Sequence, residues 1–205
     1  RGQASTNSQS NGALMRVSPI GIANAGSPAK AAEQARLDAA LTHPHPVCVA
    51  ASGCYAAAIA AGISGAGPRE MWAVAHAHAG EDAAGGTIRS TLNAAQLGAP
   101  EEFQRQMGWV LIALQNAFHH LWTGGTLEDA LVETVSCGGD TDTNAAITGA
   151  LLGATQGREA VPLRWRRALV TCRTLQARSI NRPRPADYWT DDTMDLAEAL
   201  LVCRI

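Results

Sequence analysis

The residues best suited to chemistry lie in one short run, which reads Cys137-Gly138-Gly139-Asp140-Thr141-Asp142-Thr143-Asn144. Two carboxylates and two hydroxyls stand there at a glycine-rich turn that leads into an apolar, helix-forming stretch. Carboxylate and hydroxyl oxygens are the ligands that hard cations such as Mg²⁺ prefer. Because two glycines let the backbone bend sharply, Asp140, Asp142 and the Thr143 hydroxyl can converge on one cation. The run therefore predicts a magnesium-type site.

The same run also resembles other kinds of local structure and site. A plain helix N-cap is one, because Asp and Thr are favoured at that position without any ligand, and the residue types alone leave it open. An EF-hand would need Gly at the sixth loop position and Glu at the twelfth, where this chain has Ala145 and Leu151. The Asp-x-Asp-x-Asn spacing also resembles the nucleophile loop of haloacid-dehalogenase-type phosphatases, but the buried strand that should precede it is absent.

The elements that must position this run are predicted to be helices. Ser27-Pro28 opens a helix to about residue 41, with Pro28 at its first position and three alanines on one face. Further helices are predicted at about 47–62, 68–79, 87–97, 108–122, 126–135, 140–154, from Pro162, and at 190–202. No alternating pattern typical of β-strands occurs. We therefore expect a single all-α domain over residues 1–205, with about ten helices and a polar N-terminal loop that enters the core.

The amino-acid composition argues against some classes of protein. The 205 residues are 46% hydrophobic and carry a net charge of −2, which argues against a general nucleic-acid binder. Five scattered cysteines without a C-x-x-C pair predict reduced thiols and hence a cytoplasmic protein. The uncharged stretch 47–68 is long enough to span a membrane. Because it consists mostly of Ala, Gly and Ser, we interpret it as a close-packed core helix and expect no membrane association.

Structural roles are predicted for several other side chains. The arginines between residues 164 and 184 predict a solvated helix face, with phosphate binding as the alternative. The histidine pairs at 76/78 and 119/120 lack the i, i+4 spacing that would let them share a metal on one helix face. A core position is predicted for the following aromatic and methionine side chains: Met71, Trp72, Met107, Trp109, Phe118, Trp122 and Trp165.

The run at 138–143, together with its continuation, resembles the C-terminal metal motif of the ADP-ribosylglycohydrolases. The continuation reads Ala145-Ala146-Ile147, then Gly149-Ala150-Leu151-Leu152-Gly153-Ala154, then Gly157. Near the start, residues 8–19 resemble the family's Asn-Gly-x-x-Met-Arg segment, here Asn11-Gly12-Ala13-Leu14-Met15-Arg16. Leu41-Thr42-His43 resembles its Leu-Thr-His element, and Arg182-Pro183 with Tyr188-Trp189 resembles its usual ending. These segments follow the family's order along nearly the whole chain.

The resemblance implies an all-α hydrolase that cleaves the glycosidic bond between ADP-ribose and a protein side chain or small molecule. It implies a binuclear Mg²⁺ site, with Mn²⁺ as an alternative ion, that positions or activates a water at the anomeric carbon. Carried over by position, Asp140 and Asp142 are the catalytic residues, and Asp140, Asp142 and Thr143 are the metal ligands. The expected substrate-binding residues are Ser8, Asn11, Gly12, His43, Gly138 and Gly139.

The chain also departs from the family pattern. Members of the family usually carry a Gly-Asp-x-x-Gly segment and a Thr-Asp-Asp-Thr motif in their N-terminal part. The present sequence, which begins at Arg1, does not include that part. Three ligands are too few for two Mg²⁺ ions. We therefore expect the remaining ligands in an N-terminal segment, which would bind to this chain as a partner. The alternative is a non-catalytic ADP-ribose-binding or structural relative. Thr190-Asp191-Asp192-Thr193 has the letters of the missing motif, but it is interpreted as the capping sequence of the last helix.

Overall fold

The structure is a computed structural model that describes residues 6–173 and 182–203. Those residues form ten α-helices, three short 3-10 helices and no β-strand, which confirms the all-α prediction. The 3-10 helices are Leu14–Arg16, Arg158–Ala160 and Ala186–Tyr188. The α-helices are α1 (Ser18–Ala23), α2 (Pro28–Ala40), α3 (Pro46–Ile63), α4 (Pro68–Ala77), α5 (Ala83–Leu97), α6 (Val110–Thr123), α7 (Leu127–Ser136), α8 (Thr141–Gln156), α9 (Leu163–Thr171) and α10 (Thr193–Val202).

Helix α3 runs through the centre of the fold, and its small side chains let other helices approach closely. A Cβ atom added at Gly53 would lie 2.8 Å from Nε of Arg36 on α2, and one at Gly21 of α1 would lie 2.6 Å from Cγ2 of Ile59. Within the described residues, α3 is the one helix long and apolar enough to cross a membrane, and 83% of it is buried inside the protein. Its composition therefore follows from its central position.

Larger apolar side chains fill the space between α5, α6 and α8. Phe118, Leu92 and Leu151 are completely excluded from solvent, and burial of each such side chain contributes about 1.5–3 kcal/mol. Tyr55 of α3 is also buried, and its hydroxyl donates a 2.7 Å hydrogen bond to the Ile147 carbonyl on α8. This bond fixes α8 against the central helix.

A buried polar contact holds α8 against two further helices. The Asn116 side-chain amide on α6 donates to the hydroxyls of Thr134 on α7, at 2.9 Å, and Thr148 on α8, at 3.0 Å. All three side chains are buried, so the hydrogen bonds offset the cost of removing these groups from water. The turn between α7 and α8, where the chemistry-bearing run lies, is thus held by packed helices on both sides.

The helices differ from the sequence prediction at several points, because α1 was not predicted, α10 begins at Thr193 and not near residue 190, and α5 and α6 also begin elsewhere. Helix α5 begins at Ala83, not near residue 87, because its Gly85-Gly86 pair does not interrupt it. Gly85 packs directly against Gly80, where an added Cβ would lie 2.0 Å from the carbonyl oxygen. Trp109, predicted within a helix, has extended backbone before α6, since residues 9–11 pair with its neighbours.

The predicted core positions are correct for Met71 and Phe118 and wrong for Met107. Met107 is 54% exposed because it lies in the loop 98–109 before α6, not on the helix. The four tryptophans named above are only partly buried, and the Trp122 ring lies under the Arg69 guanidinium at the protein surface, 3.3 Å from ring centroid to Cζ. Arg164 and Arg167 are exposed on α9, as the solvated-face prediction requires, but Arg166 is half-buried and pairs with Glu159; Arg178 lies outside the described residues.

Candidate functional site

The turn between α7 and α8 depends on its two glycines. Gly138 and Gly139 have φ angles of +75° and +71°, in the left-handed region that disfavours side chains. A Cβ atom at Gly139 would lie 2.0 Å from the carbonyl oxygen of Phe103, whereas one at Gly138 would meet only the flexible Gln104 side chain at 3.3 Å. The loop 98–109 therefore packs on this turn and holds it in place. Ligand contact by the two glycine backbones stays a prediction.

Asp140, the residue at the N-cap of α8, is joined to the N-terminal segment of the chain. The Asn11 side-chain amide donates a 2.8 Å hydrogen bond to Asp140 Oδ2, a contact between residues 129 positions apart. Asn11 is itself fixed, because its backbone N–H donates to the Gly108 carbonyl at 2.8 Å and its side chain is 5% exposed. Two of the segments that carried the family resemblance, at residues 8–19 and 138–157, therefore meet at one point.

The charge on Asp140 is stabilised by its neighbours. Burial acts to raise the pKa of this carboxyl, but hydrogen bonds with the Asn11 amide, the Thr143 hydroxyl and the Asp142 carboxyl outweigh it, so the pKa lies below its ordinary value. Two carboxyls that close repel each other unless a proton or a cation lies between them. Because its pKa lies below the ordinary value, Asp140 is ionised at neutral pH and presents an oxygen with a negative charge, to which a cation can bind.

These residues form a donor set of the type that Mg²⁺ prefers. Asp140, Asp142 and Thr143 offer two carboxylates and a hydroxyl within the first turn of α8, and Mg²⁺ binds such oxygens while keeping several waters. The described part of the chain holds no group of three or more His, Cys, Asp or Glu side chains that could hold a metal ion. The donor set therefore fits one partly hydrated cation and supplies too few oxygens for two.

His43 lies on the other side of Asn11 and takes part in a chain of hydrogen bonds. Its Nε2 atom lies 2.9 Å from Ser10 Oγ, and its Nδ1 atom lies 2.8 Å from Thr42 Oγ1. Gly12 makes room for the ring, because a Cβ atom there would lie 2.8 Å from Nε2. Burial, with a smaller contribution from the Arg16 charge, lowers the pKa of His43, so this ring is neutral at pH 7.

An open depression lies beside these groups. Its volume is about 660 Å³, and its wall includes Gln9, Ser10, Gly108 and Trp109. A Cβ atom built on Gly108 would lie 3.9 Å from Asp140 Oδ2, so this wall borders the carboxylate. The Trp109 indole N–H donates to Gln9 Oε1 at 2.9 Å, which holds the two sides of the wall together. The depression is large enough for a ligand of moderate size.

The structure gathers most of the sequence-predicted site residues. Asp140, Asp142, Thr143 and Asn11 form one cluster, with Gly138 and Gly139 in the adjoining turn and Gly12 and His43 beyond Asn11. Ser8 reaches the same region through its backbone, whose carbonyl accepts from the Cys48 thiol at 3.6 Å. No hydrogen bond connects its side chain to the cluster within the described residues.

Sequence reasoning missed the contribution of the loop 98–109. Phe103 and Gly108 stand against the metal-type turn and Asn11, although nothing in their types or spacing resembles a site. The one available signal was Gly108 immediately before an apolar helix, because a glycine there permits close approach of another segment.

The C-terminal Thr-Asp-Asp-Thr lies at the start of a helix, as interpreted from the sequence. Asp192 is the N-cap residue of α10, although its side chain makes no capping hydrogen bond. The Asp191 carboxylate instead accepts a 3.3 Å hydrogen bond from Arg173. Since no described group of three or more acidic, His or Cys side chains could hold a metal, these aspartates are not assembled with Asp140 and Asp142.

Comparison with known proteins identifies relatives of this chain. The ADP-ribosyl-[dinitrogen reductase] glycohydrolase of Rhodospirillum rubrum is 28% identical over 160 residues, which cover 76% of this chain and 49% of that protein. An uncharacterized protein of Archaeoglobus fulgidus is 29% identical over 166 residues, covering 75% and 51%. The chain thus spans about half the length of the curated relatives it matches.

A solved structure has the same fold. It is described as an ADP-ribosylglycohydrolase-related protein complex, with a TM-score of 0.78 and 26% identity, and the match covers 98% of this chain and 63% of that one. The family model for ADP-ribosylglycohydrolases matches residues 1–202. The match extends over both segments that meet at Asp140. By sequence and by fold, this chain belongs to the ADP-ribosylglycohydrolase family.

Proposed function

We propose that this chain forms the core of a Mg²⁺-dependent hydrolase that releases ADP-ribose from a modified protein side chain or a small molecule. The observation that carries the proposal is the 2.8 Å hydrogen bond between Asn11 and Asp140. It joins the N-terminal segment to an oxygen donor set beside an open depression, in a chain that belongs to a family of ADP-ribosyl hydrolases. Mn²⁺ is the alternative ion.

The chain's own residues supply orientation and negative charge. Cleavage of a glycosidic bond develops positive charge on the sugar ring in the transition state, and nearby carboxylates stabilise that charge. Asn11 holds the Asp140 carboxylate in one orientation, and the low pKa of Asp140 keeps it ionised at neutral pH. A Mg²⁺ ion held by Asp140, Asp142 and Thr143 would fix the ribose hydroxyls and lower the pKa of a bound water.

The ligand set of residues 1–205 predicts that this chain binds one cation weakly. Two carboxylates and one hydroxyl leave most of the coordination of Mg²⁺ to water, and a second ion would have no protein ligand of its own. We therefore expect weak metal-dependent binding of ADP-ribose and no detectable hydrolysis by residues 1–205 alone. Hydrolysis is expected where further acidic ligands are supplied by the complete product of the gene.

The experiment compares the 205-residue chain with the complete gene product. Release of free ADP-ribose from an ADP-ribosylated protein is measured with and without Mg²⁺, and ADP-ribose binding is measured by calorimetry. In the complete product, Asp140→Asn and Asp142→Asn should each abolish Mg²⁺-dependent release, because the ligand charge is lost while the shape is kept. The control is Asp195→Asn, at the start of α10, which removes an acidic group away from the cluster.

Three outcomes contradict this account of the chain. Full turnover by the Asp140→Asn or Asp142→Asn variant at saturating Mg²⁺ would refute the assignment of these residues. ADP-ribose binding without any release by the complete product would identify the chain as a non-catalytic relative. Turnover by residues 1–205 alone that is lost in Asp191→Ala would instead show that the C-terminal aspartates complete the site in solution.

A further inference from the structure

Five side chains form a continuous series of hydrogen bonds that ends beside the candidate site. The Asp38 carboxylate accepts from Arg16 Nε at 3.0 Å, and Arg16 Nη1 donates to Thr42 Oγ1 at 2.7 Å. Thr42 Oγ1 lies 2.8 Å from His43 Nδ1, and His43 Nε2 lies 2.9 Å from Ser10 Oγ. We call these five residues the Arg16–Ser10 relay. It directly connects the Met-Arg and Thr-His segments of the sequence.

The charge of Arg16 sets the direction of this relay. A guanidinium can only donate, so Thr42 Oγ1 uses a lone pair on Arg16, and the nearby positive charge makes its own O–H a better donor. If His43 carried its proton on Nδ1, that N–H dipole would point toward the Arg16 cation. With the proton on Nε2, the Nδ1 lone pair accepts from Thr42, and the electrostatic interaction is favourable.

The tautomer of His43 determines which hydrogen bonds Ser10 can make. A neutral ring with its proton on Nε2 donates to Ser10 Oγ and has no lone pair on that side with which to take the serine proton. His43 therefore does not act as a general base toward Ser10, although a Ser–His contact of 2.9 Å would otherwise suggest an activated nucleophile. The Ser10 hydroxyl hydrogen is free to donate, and Ser10 lines the open depression.

We infer that the Arg16–Ser10 relay orients the Ser10 hydroxyl as a hydrogen-bond donor to an oxygen atom of the bound ADP-ribose unit, with His43 as a positioning residue in its Nε2–H tautomer. The ligand named here rests on the proposed function. The tautomer does not, because it follows from the contacts of the protein alone. The two parts are therefore tested by separate readouts.

The tautomer is read directly by nitrogen NMR on the 205-residue chain at a pH where His43 is neutral. The His43 signals are assigned by their absence in His43→Gln. We expect Nε2 to show a directly bonded proton and Nδ1 to show none. Thr42→Val removes the donor to Nδ1 at nearly constant shape, so the preference for the Nε2–H form should weaken, whereas Thr42→Ser should restore the wild-type ratio of tautomers.

The matched control is Thr87→Val, at a half-buried position of α5 where the hydroxyl donates only to the Ala83 carbonyl of its own helix. It should leave the His43 signals unchanged. A wild-type ring protonated on Nδ1, or a Thr42→Val ring with the wild-type pattern, would overturn the relay. A purely packing role for Thr42 would also leave the tautomer in place.

The ligand part is tested by ADP-ribose titration in Mg²⁺. Ser10→Ala should weaken binding by about fivefold, the effect of one lost hydrogen bond, and Thr42→Val should weaken it by a smaller factor. Unchanged binding in Ser10→Ala would overturn the donor role. If the wild-type chain and the complete gene product both fail to bind ADP-ribose while the Nε2–H tautomer is observed, the proposed function and its ligand fail, and the relay is retained.

Discussion

Gly139 is under a stronger constraint than Gly138, although the two are neighbours with almost the same backbone angles. Both have positive φ, which costs an L-residue about 1–2 kcal/mol. Only Gly139 also faces rigid backbone, the Phe103 carbonyl oxygen, at 2.0 Å from the position of an added Cβ. Substitutions at these two glycines therefore distinguish the conformational cost of adding a side chain from the cost of its steric overlap with the backbone.

We predict that Gly139→Ala lowers the free energy of unfolding by roughly 3 kcal/mol or more, the sum of conformational strain and displacement of the loop 98–109. Gly138→Ala should cost only about 1–2 kcal/mol, since the Gln104 side chain can move away. Urea unfolding followed by circular dichroism measures both. Equal losses for the two variants would show that the contact with Phe103 is not rigid.

At the scale of residues, the sequence was informative where the chemistry is contiguous. Asp140, Asp142 and Thr143 could be selected because two carboxylates and hydroxyls follow a Gly-Gly pair within one turn. The contact of Asn11 with Asp140 joins positions 129 residues apart, and only the family resemblance placed Asn11 near the site. The Phe103 carbonyl was invisible to sequence reasoning, because a backbone oxygen carries no side-chain signal.

The helices differ in how their first turns are capped, and α5 and α10 make the comparison direct. Both have aspartate at the N-cap. Asp82 Oδ1 accepts a 2.8 Å hydrogen bond from the Gly85 N–H of α5, whereas the Asp192 side chain makes no such bond at the start of α10. An N-cap aspartate thus satisfies an otherwise free N–H group in α5 but not in α10.

Asp82→Ala should therefore lower the free energy of unfolding by about 1 kcal/mol, the usual effect of losing a side-chain cap. Asp192→Ala is the matched control and should lower it by a few tenths of a kcal/mol at most, through its interaction with the helix dipole. Thermal unfolding of the two variants provides the comparison. A larger loss for Asp192→Ala would mean that its carboxylate has an important partner in solution.

At the scale of elements, helix existence was predictable and some boundaries were not. The Ser27-Pro28 start correctly indicated α2, and the ranges predicted for α4 and α7 lie within two residues of those observed. The Gly85-Gly86 pair looked like a break, yet in the structure Gly85 is the point where α5 touches the Gly80 backbone. A glycine that permits close packing and a glycine that ends a helix have the same letter, so tertiary contacts decide between them.

The whole molecule contains three histidines whose pKa values are lowered, and they give its stability a pH dependence. Burial is the main cause for all three, namely His43, His78 and His120. Arg16 contributes at His43 and Arg36 at His78, whereas at His120 the effect of His119 is opposed by Glu133. The unfolded chain binds protons near the ordinary value of 6.5, while the folded chain stays neutral to lower pH.

We predict that the urea midpoint falls as pH is lowered from about 7.5 to about 5.5, because the unfolded state gains protons first in this range. Above this pH range, the three histidines make their full contribution to the free energy of unfolding. The triple variant His43→Gln, His78→Gln, His120→Gln should show a flatter profile. A wild-type midpoint that is constant over this range, or a triple variant that keeps the wild-type slope, would contradict the prediction.

At the scale of the molecule, the all-α class followed from the absence of alternating patterns and from repeated helix signals. The central position of α3 followed from its small, uncharged residues, which suit close helix packing better than insertion into lipid. The packing of the loop 98–109 against the turn at residues 138–139 did not follow, because it depends on three-dimensional contacts between irregular segments.

The burial of Tyr55, the residue that bonds the Ile147 carbonyl, also determines how the protein responds to alkali. Burial raises the pKa of this phenol far above its ordinary value of 10, and the only other tyrosine, Tyr188, is exposed. A spectrophotometric titration should show that the Tyr55 phenolate forms only as the chain unfolds. Above about pH 10 the unfolded state loses a proton that the folded state keeps, so stability declines there. The absorbance of the Tyr55 phenolate is thus a built-in optical signal of global unfolding that requires no label.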